Sequence, residues 1–372
     1  MAADGSANPS PAPKILLAKP GRGGADEELL YDTWDFQIDR FLPFLTDNAE
    51  FTVVGVIGPP GVGKSTILNE IYGSDSSSPG MLAPFGVESE ETRAMARHCT
   101  VGIEPRISSE RIILLDTQPV FSPSVLAEMI RPDGSCTLSV FSGESLSAEL
   151  AHEVMSIQLG ILLASICHII IVVSNGVRDA SMWRLMSTVD LLKHGIPDPS
   201  CVMHSHPQSS GNFDKLPLGG EEYIATPMFI HTGVRDRDIT PHNFLKMKKA
   251  LAECFRSSSF IRSEGHKDGV KESQSTATAF ENLRDSNTDL KLFLVPSQGK
   301  DDSSRPLYES YICALWKIRD QVLSMSGPSF SRTVSERDWL KNSAKIWEFI
   351  KNSPTIGDYC TTLESSYPFR KS

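Results

Sequence analysis

The chain has 372 residues, which could form two average domains or one enlarged α/β domain with tails. Its 36 Lys and Arg residues stand against 46 Asp and Glu residues, a formal charge of −10, and no basic block stands out that would follow a phosphate backbone. Direct nucleic-acid binding is therefore disfavoured. The seven cysteines include no C-x-x-C pair, which favours reduced thiols inside a cell over a disulfide framework.

The N-terminal residues 1–28 are rich in Ala, Pro, Gly and Ser and lack the apolar core of a signal peptide. We expect a disordered tail there and no targeting signal. The longest apolar run, residues 159–173, includes Ser165 and His168 and is shorter than the ~18 to 20 residues of a membrane span. The sequence therefore predicts a soluble, cytoplasmic protein, with the nucleus as an open second compartment.

Residues 29–48 contain many aromatic residues and precede the first clear strand. We predict an amphipathic helix or a helix pair that packs on the following domain. Its apolar area would come from Trp34, Phe36, Ile38, Phe41 and Phe44.

Residues 58–65 match the phosphate-binding pattern G-x-x-x-x-G-K-[ST] at every fixed position. The apolar run 51–57 before them predicts a buried strand, and residues 66–73 predict a helix that ends at a glycine. A glycine-rich turn before a core helix would have the same composition without binding anything. The strand and helix on either side favour the nucleotide site.

In such a loop the glycines let successive backbone N–H groups point inward, and the helix N-terminus adds its positive dipole end. Lys64 would reach the outer phosphates and Ser65 would hold Mg²⁺. The predicted nucleotide-binding residues are Gly58, Gly61, Val62, Gly63, Lys64, Ser65 and Thr66.

Two further residues are predicted to lie near the magnesium ion. Residues 74–99 are polar and typical of a loop, whereas residues 111–116 predict a buried strand that ends in Asp116, where such folds keep an aspartate on the magnesium side. Thr100 lies where a switch threonine would reach the ion, although it could equally be an ordinary loop threonine. The predicted magnesium ligands are Ser65, Thr100 and Asp116.

Strands and helices then alternate along the chain, which predicts an α/β protein with a mostly parallel sheet flanked by helices. Together with the phosphate-binding loop this is the G-domain type of P-loop NTPase, assigned to residues 29–300. Polar insertions interrupt it at about residues 198–226 and 257–288. The predicted helices span 147–167, 181–194 and 243–255, and the predicted strands span 168–173, 228–231 and 290–295.

Residues 301–365 are predicted to be helical and to pack on the preceding domain. Apolar residues recur at helical spacing over 311–325, and a last helix begins at Ser335, where Asp338 completes a capping box. This last helix carries the stripe Leu340, Ala344, Trp347 and Ile350. Such stripes are most often core, so packing is favoured over a docking helix for a partner.

Five segments resemble the nonsense-mediated mRNA decay factors of the family called suppressor with morphogenetic effect on genitalia protein nine. They are FTVVGVIGPPGVGKSTILNEIYG, RIILLDTQPVFSPSVLAEMI, CHIIIVVSNG, LKLFLVP and DWLKNSAKIWEFI. The resemblance covers most of residues 29–365. Its most specific part is the stretch 116–119 followed by Ser122 and Pro123, because a proline stands there that active GTPases do not use.

The resemblance implies a regulatory role. Proteins of that family form a G-fold pseudo-heterodimer with a larger G-fold-like decay factor. The pair regulates a very large phosphatidylinositol-kinase-like protein kinase, which phosphorylates an RNA helicase. The same partners and the same role are what the resemblance implies for this chain.

The residues themselves argue against an active switch. Working G proteins use Asp-x-x-Gly, whose glycine N–H contacts the γ-phosphate. Here that position is Pro119, which has no N–H, and the next position, which usually orients the attacking water, is Val120. Residues 232–235 stand where Asn-Lys-x-Asp would read guanine and hold no acid at the fourth position, and Asp236 could substitute only with a shifted register. ATP and GTP, or their diphosphates, therefore stay equally open, and hydrolysis should be slow.

Two other classes remain as alternatives. A turning-over P-loop GTPase or ATPase of the large type would need a responsive switch, and Pro119 and the missing base motif argue against it. A P-loop kinase for small molecules would need an acceptor pocket and an arginine-bearing lid, whereas the insertions are polar and poor in arginine. The sequence therefore favours a regulatory subunit whose nucleotide and Mg²⁺ are mainly structural.

Overall fold

The computed structural model describes residues 14–20, 31–73, 83–95, 97–130, 147–202, 222–261, 290–297, 309–325 and 327–366. In these ranges the strands are β1 (Leu16–Pro20), β2 (Tyr31–Phe36), β3 (Thr52–Ile57), β4 (Ile103–Ile107), β5 (Ile112–Thr117), β6 (Ile169–Asn175), β7 (Thr226–Val234) and β8 (Lys291–Pro296). The α-helices are α1 (Lys64–Tyr72), α2 (Glu90–Ala94), α3 (Pro123–Met129), α4 (Ala148–Ile166), α5 (Ser181–Leu192), α6 (Pro241–Cys254), α7 (Tyr311–Ser324), α8 (Glu336–Lys351) and α9 (Pro354–Ser366).

The strands form one eight-stranded sheet in the order β2-β1-β4-β5-β3-β6-β7-β8. Strands β5, β3, β6, β7 and β8 are parallel to one another, whereas β4 runs antiparallel to β5, and β1 and β2 extend that edge as an antiparallel pair. The carboxyl ends of parallel strands share one edge of a sheet, where α/β proteins bind ligands. The loops that follow β3 and β5 are therefore neighbours.

The central strands are apolar on both sides because helices cover both faces of the sheet. In β6, Ile169, Ile171 and Val173 belong to the core cluster that contains α1 and α7 residues. Ile170 and Val172 belong to the larger cluster on the other face, which contains α4, α5 and α8 residues. The predicted α/β class, a mostly parallel sheet of the P-loop type with C-terminal helices, is confirmed.

Helix α4 is the apolar helix at the centre of the larger core. In the described part of the chain, α4 is the one helix that is long enough and apolar enough to cross a membrane. However, 89% of its most apolar window is buried inside the fold. Gly160 allows this close packing, since a Cβ there would lie 2.5 Å from a Val189 methyl group on α5. The helix is a core helix of this domain.

The helix or helix pair predicted over residues 29–48 is wrong. The structure has strand β2 and then a short 3-10 helix, Leu42–Phe44. The apolar residues Trp34, Phe36 and Ile38 lie two positions apart, which is the period of a strand. Strands β1 and β4 and helices α2 and α3 were not predicted. Helix α9 lies in the region 301–365 that was predicted to be helical, although the helix beginning at Ser335 was predicted to be the last one.

The other predicted strands and helices are present within a few residues of their predicted ends. Most of the two predicted insertions, residues 203–221 and 262–289, and most of the N-terminal tail lie outside the described residues. The division into a domain at 29–300 and an extension at 301–365 stays a prediction.

The predicted last helix, α8, packs into the domain core. Ser335 caps it by accepting a hydrogen bond from the Asp338 N–H at 3.2 Å, as predicted. Trp339 and Trp347 are buried, and the indole N–H of Trp339 donates to the Ile166 carbonyl at 2.8 Å. The apolar stripe of α8 is therefore core.

Helix α8 also forms hydrogen bonds with residues from the first third of the chain. The buried carboxylate of Glu336 accepts hydrogen bonds from Arg111 Nε at 2.9 Å and from the backbone N–H of Thr46 at 2.8 Å. The Glu336 N–H in turn donates to the Asn48 carbonyl at 3.0 Å. This cluster joins the segment before β3, the turn between β4 and β5, and α8.

Candidate nucleotide site

The phosphate-binding loop joins the end of β3 to the start of α1. Gly61 and Gly63 have φ values of 70° and 87°, in the left-handed region that favours glycine. Gly58 is required for another reason, because a Cβ there would lie 2.5 Å from the Val173 carbonyl oxygen of β6. The loop glycines therefore have specific structural reasons, and the backbone curls in front of α1 as the pattern predicted.

Lys64 is the first residue of α1, and its side chain is folded back over the loop. The ammonium donates to the carbonyl oxygens of Gly58 at 3.1 Å and Pro59 at 3.0 Å. Burial lowers the pKa of Lys64 from 10.5 to about 8, and the nearby carboxylates of Asp116 and Glu88 oppose this only in part. The cation is thus buried with too little negative charge around it, which an anionic ligand would supply.

Asp116, at the end of β5, is fully buried beside the loop. Its Oδ2 accepts hydrogen bonds from Ser65 Oγ at 2.7 Å and from Thr100 Oγ1 at 2.9 Å. Burial raises the pKa of Asp116, although the Ser65 hydrogen bond and the charge of Lys64 act in the opposite direction. The structure therefore brings the three predicted magnesium ligands together.

These residues fit a magnesium ion by their chemistry. Asp116 Oδ1 is buried and has no hydrogen-bond partner, and the hydroxyls of Ser65 and Thr100 meet at the other oxygen of the same carboxylate. Mg²⁺ prefers oxygen ligands and usually takes one or two carboxylates together with phosphate oxygens and waters. In the ranges that the structure describes, no group of three or more His, Cys, Asp or Glu side chains could hold a metal ion. A magnesium ion would thus rely on one carboxylate, hydroxyls and the nucleotide.

The segment that follows Asp116 is fastened on two sides. Thr117 Oγ1 donates to the Val56 carbonyl of β3 at 2.6 Å, and the Val120 N–H donates to the Gly58 carbonyl of the loop at 3.2 Å. On the other side, Gln118 exchanges two hydrogen bonds with the backbone of Gly102, at 2.8 and 3.1 Å. The segment is therefore held in one position by contacts within the protein.

Pro119 and Val120 lie in this hydrogen-bonded segment. The sequence predicted that Pro119 replaces the glycine of Asp-x-x-Gly and that Val120 replaces the residue that orients the attacking water in active GTPases. Val120 is 2% exposed, and its side chain has no hydrogen-bonding group that could orient a water molecule. The next residue, Phe121, has a φ of 54°, which is uncommon for a bulky side chain. Sequence reasoning missed the roles of Gln118 and Gly102, because nothing in their local pattern marks a contact between two strands.

The ends of β6 and β7 form the side where a G domain would hold its base. Thr232 Oγ1 donates to the Val62 carbonyl at 2.9 Å and so ties this side to the phosphate-binding loop. Arg235, at the position of the missing acid, is exposed and pairs with Asp238 at 2.8 Å. Asp236 belongs to the 3-10 helix Asp236–Asp238. No acid stands at the fourth position, so the geometry favours neither base.

Comparison with known proteins finds relatives along most of the chain. The nonsense-mediated mRNA decay factors SMG9 of Xenopus tropicalis and Xenopus laevis are each 28% identical to the chain, over 358 and 389 residues. These alignments cover 90% and 98% of this chain and 66% and 72% of the two relatives. The chain is a homologue of the SMG9 proteins. The resemblance that the sequence motifs indicated is thus confirmed.

A nematode SMG9, from Caenorhabditis elegans, is 35% identical over 88 residues, 24% of this chain and 23% of that protein. The chain spans about two thirds of the length of the vertebrate SMG9 proteins that it matches. No family model matches the chain. A septin GTPase domain from Chlamydomonas reinhardtii aligns over 81% of the chain and 96% of its own length, with 12% identity and a TM-score of 0.31. The fold class rests on the strand order and the phosphate-binding loop described above.

Proposed function

We propose that this SMG9 homologue acts in nonsense-mediated mRNA decay as a regulatory subunit that binds a nucleotide without using it as a switch. One observation carries the proposal. The buried side chains of Lys64, Thr100 and Asp116 and the half-buried Ser65 form a cluster. It lies next to a segment that is hydrogen-bonded to the phosphate-binding loop through Val120 and Gly58. The cluster has the side chains that bind phosphate and Mg²⁺ in P-loop proteins. The segment after β5, which would respond to the γ-phosphate in a switch, is instead hydrogen-bonded to the loop.

The electrostatics of the cluster support nucleotide binding. Burial lowers the pKa of Lys64 and raises the pKa of Asp116, which means that burial disfavours the charged form of each side chain. Phosphate oxygens near Lys64 and Mg²⁺ near Asp116 would stabilise both charged forms together. A bound Mg²⁺ would neutralise phosphate charge, and Ser65 and Asp116 would hold it, with Thr100 beside them.

The fastened segment supports a structural role for that nucleotide. In a working switch, the Asp-x-x-Gly segment moves when the γ-phosphate leaves. Here Pro119 offers no N–H to the phosphate, and the neighbouring N–H of Val120 is already bound to Gly58. Tri- and diphosphate should therefore leave the protein in the same conformation.

The proposed partners are those that the sequence resemblance implies. We infer that the chain pairs with a larger G-fold-like decay factor and that the pair controls a phosphatidylinositol-kinase-like protein kinase. The name of the relatives, nonsense-mediated mRNA decay factor SMG9, supports a role of this chain in nonsense-mediated mRNA decay. The nearly complete coverage of this chain supports the transfer to it.

A turning-over NTPase of the large GTPase type is the second candidate. The observation that favours it is the hydrogen bond from Thr100 to Asp116, since a switch threonine that reaches the magnesium site is a part of active G domains. The buried Val120 opposes it, because no side chain is placed there to orient a water molecule.

The deciding experiment is affinity purification of the tagged full chain from its own cells, combined with mass spectrometry and a phosphate-release assay. Lys64→Ala would be compared with Lys345→Ala, which removes an exposed lysine from α8. We expect the wild type to retain a nucleotide, to recover a G-fold partner and to release no phosphate above the buffer rate. Recovery of the protein alone, together with steady phosphate release from ATP or GTP, would replace the proposal by the free-standing NTPase.

A further inference from the structure

Glu88 places a second carboxylate at the phosphate-binding loop, in addition to Asp116. A Cβ on Gly61 would lie 3.4 Å from Glu88 Oε2, so this half-buried side chain lies beside the backbone of the loop. Burial lowers the pKa of Lys64, and the charges of Asp116 and Glu88 raise it. The Glu88 carboxylate is therefore close enough to act on the buried ammonium as well as on the loop.

The segment that carries Glu88 is held by hydrogen bonds on both sides. Before it, the Phe85 N–H donates to Asn69 Oδ1 at 2.9 Å, and Asn69 Nδ2 donates to the Phe85 carbonyl at 3.0 Å, which joins the segment to α1. After it, Ser89 Oγ accepts from the Thr92 N–H at 3.1 Å, at the start of α2. The fold itself therefore positions Glu88 next to the loop.

An anion that enters the loop approaches this carboxylate. The N–H groups of the loop and the Lys64 ammonium attract phosphate oxygens, whereas Glu88 carries the same sign of charge as the phosphates. Like charges a few ångströms apart repel each other even where water screens them. The repulsion grows with the charge of the ligand, so it should be stronger for a triphosphate than for a diphosphate.

We propose that Glu88 is a resident anion of the phosphate-binding loop, which partly neutralises Lys64 in the empty site and weakens nucleotide binding in proportion to the phosphate charge. Glu88 would then be a specificity-determining residue for the number of phosphates. This inference rests on the proposed function, because it concerns ligands of the same site. Mg²⁺ neutralises phosphate charge, so the effect of Glu88 should be largest without it.

Isothermal titration of the full chain with ATP, ADP, GTP and GDP in the absence of Mg²⁺ tests the proposal. Glu88→Gln keeps the size of the side chain and removes its charge. It should bind the triphosphates at least about tenfold more tightly than the wild type, with a smaller gain for the diphosphates. The control is Glu91→Gln, which removes the same charge at an exposed residue of α2 and should change the affinities less than about twofold. No gain in Glu88→Gln, or an equal gain in both variants, would overturn the proposal.

Inorganic tripolyphosphate separates repulsion of the phosphates from a contact with the sugar, because it has neither sugar nor base. Repulsion predicts that Glu88→Gln also binds tripolyphosphate more tightly than the wild type does. If the variant binds nucleotides more weakly and tripolyphosphate no more tightly, Glu88 contacts the sugar and the proposal is wrong.

The same titrations distinguish this inference from the proposed function. A wild type that binds a nucleotide, together with no gain in Glu88→Gln, would leave the proposed function standing and overturn the role of Glu88. Binding by Glu88→Gln alone would support the role of Glu88 and overturn nucleotide binding by the wild type.

Thermal unfolding without any ligand gives an independent test. If Glu88 partly neutralises Lys64 in the empty site, Glu88→Gln should lower the melting temperature of the wild type by at least about 1 °C more than it lowers that of Lys64→Met. Glu91→Gln should have the same effect in both backgrounds. Equal shifts for Glu88→Gln with and without Lys64 would show that the two charges do not interact, and would overturn the proposal.

Discussion

The backbone N–H of Val120 donates to the carbonyl oxygen of Gly58 at 3.2 Å, so the segment after β5 is bound to the phosphate-binding loop by the protein itself. In a switching G domain the corresponding segment is held by the γ-phosphate and released when that phosphate leaves. The Val120–Gly58 bond is a contact within the protein at a place where a switching G domain has a contact with its ligand. It is the structural basis for the proposal that a bound nucleotide would have a structural role.

The first prediction concerns Pro119. We expect Pro119→Gly to leave the ratio of triphosphate to diphosphate affinity unchanged within about twofold, because Thr117, Gln118 and Val120 still fasten the segment. Pro119→Ala is the matched control, since it restores the N–H without the freedom of glycine. Isothermal titration with both nucleotides measures the ratio. A rise of about tenfold in either variant would show that the proline alone disables the switch.

The second prediction concerns Lys64. Burial of its charge costs about 3 kcal/mol at neutral pH, and methionine would fill the same space without a charge. We expect Lys64→Met to bind nucleotide at least about tenfold more weakly and, without nucleotide, to be more stable than the wild type at pH 7 by about 1 to 2 kcal/mol.

The stability gain of Lys64→Met should depend on pH in a defined direction. Between pH values of about 8 and 10.5, the unfolded chain binds more protons at Lys64 than the folded chain does, so the wild type gains stability there as pH rises. The advantage of Lys64→Met should therefore shrink from pH 7.5 to pH 10. Urea unfolding of both proteins across this range measures it, and an advantage that grows with pH would contradict the buried-cation account.

The third prediction concerns Asp116. Because burial raises its pKa, the folded chain holds a proton there more tightly than the unfolded chain, and stability from this group is lost as pH rises through the raised value. Asp116→Asn should therefore melt at a higher temperature than the wild type near pH 7 when nucleotide is absent. An asparagine oxygen can still accept from Ser65 and Thr100.

The same variant should lose the effect of magnesium. In the wild type, we expect Mg²⁺ to raise the melting temperature of the nucleotide-bound protein, whereas Asp116→Asn should show the same melting temperature with Mg²⁺ and with EDTA. Glu50→Gln, a charge removal at an exposed carboxylate before β3, serves as the control. An unchanged magnesium response in Asp116→Asn would remove Asp116 from the proposed ligand set.

The fourth prediction concerns the cluster around Glu336. Removing its charge leaves Arg111 without its carboxylate and Thr46 with a weaker acceptor. We expect Glu336→Gln to lower the free energy of unfolding by about 2 kcal/mol, less than for a fully buried pair because the Arg111 side chain is 35% exposed.

Glu348→Gln is the matched control for Glu336. Glu348 pairs with Lys351 on the same helix but is 57% exposed, so its removal should cost less than about 1 kcal/mol. Chemical denaturation of the three proteins measures the difference. Equal losses in both variants would mean that the Glu336 cluster does not fasten α8 to the rest of the domain.

Local sequence patterns predicted much of this fold. The strand 51–57, the glycine-rich loop and the helix after it depend on contacts between near neighbours, so their residue types carry the information directly. Strand β4 was missed because it is short and contains Pro105, which is rare inside a sheet. The structure shows why the proline fits, since β4 pairs with β1 only at Ile103, away from Pro105.

The sequence by itself determined the phosphate-binding loop, the identity of the switch-position proline and the homology to SMG9 proteins, because each is a matter of residue types at fixed spacing. Only the tertiary structure decided that Thr100 and Ser65 share one oxygen of Asp116 and that Val120 is bound to Gly58. It also decided that α8 is core and that the outer side of α7 is not. Such contacts join residues that are far apart in sequence, and their geometry is set by how strands and helices pack, which no local spacing encodes.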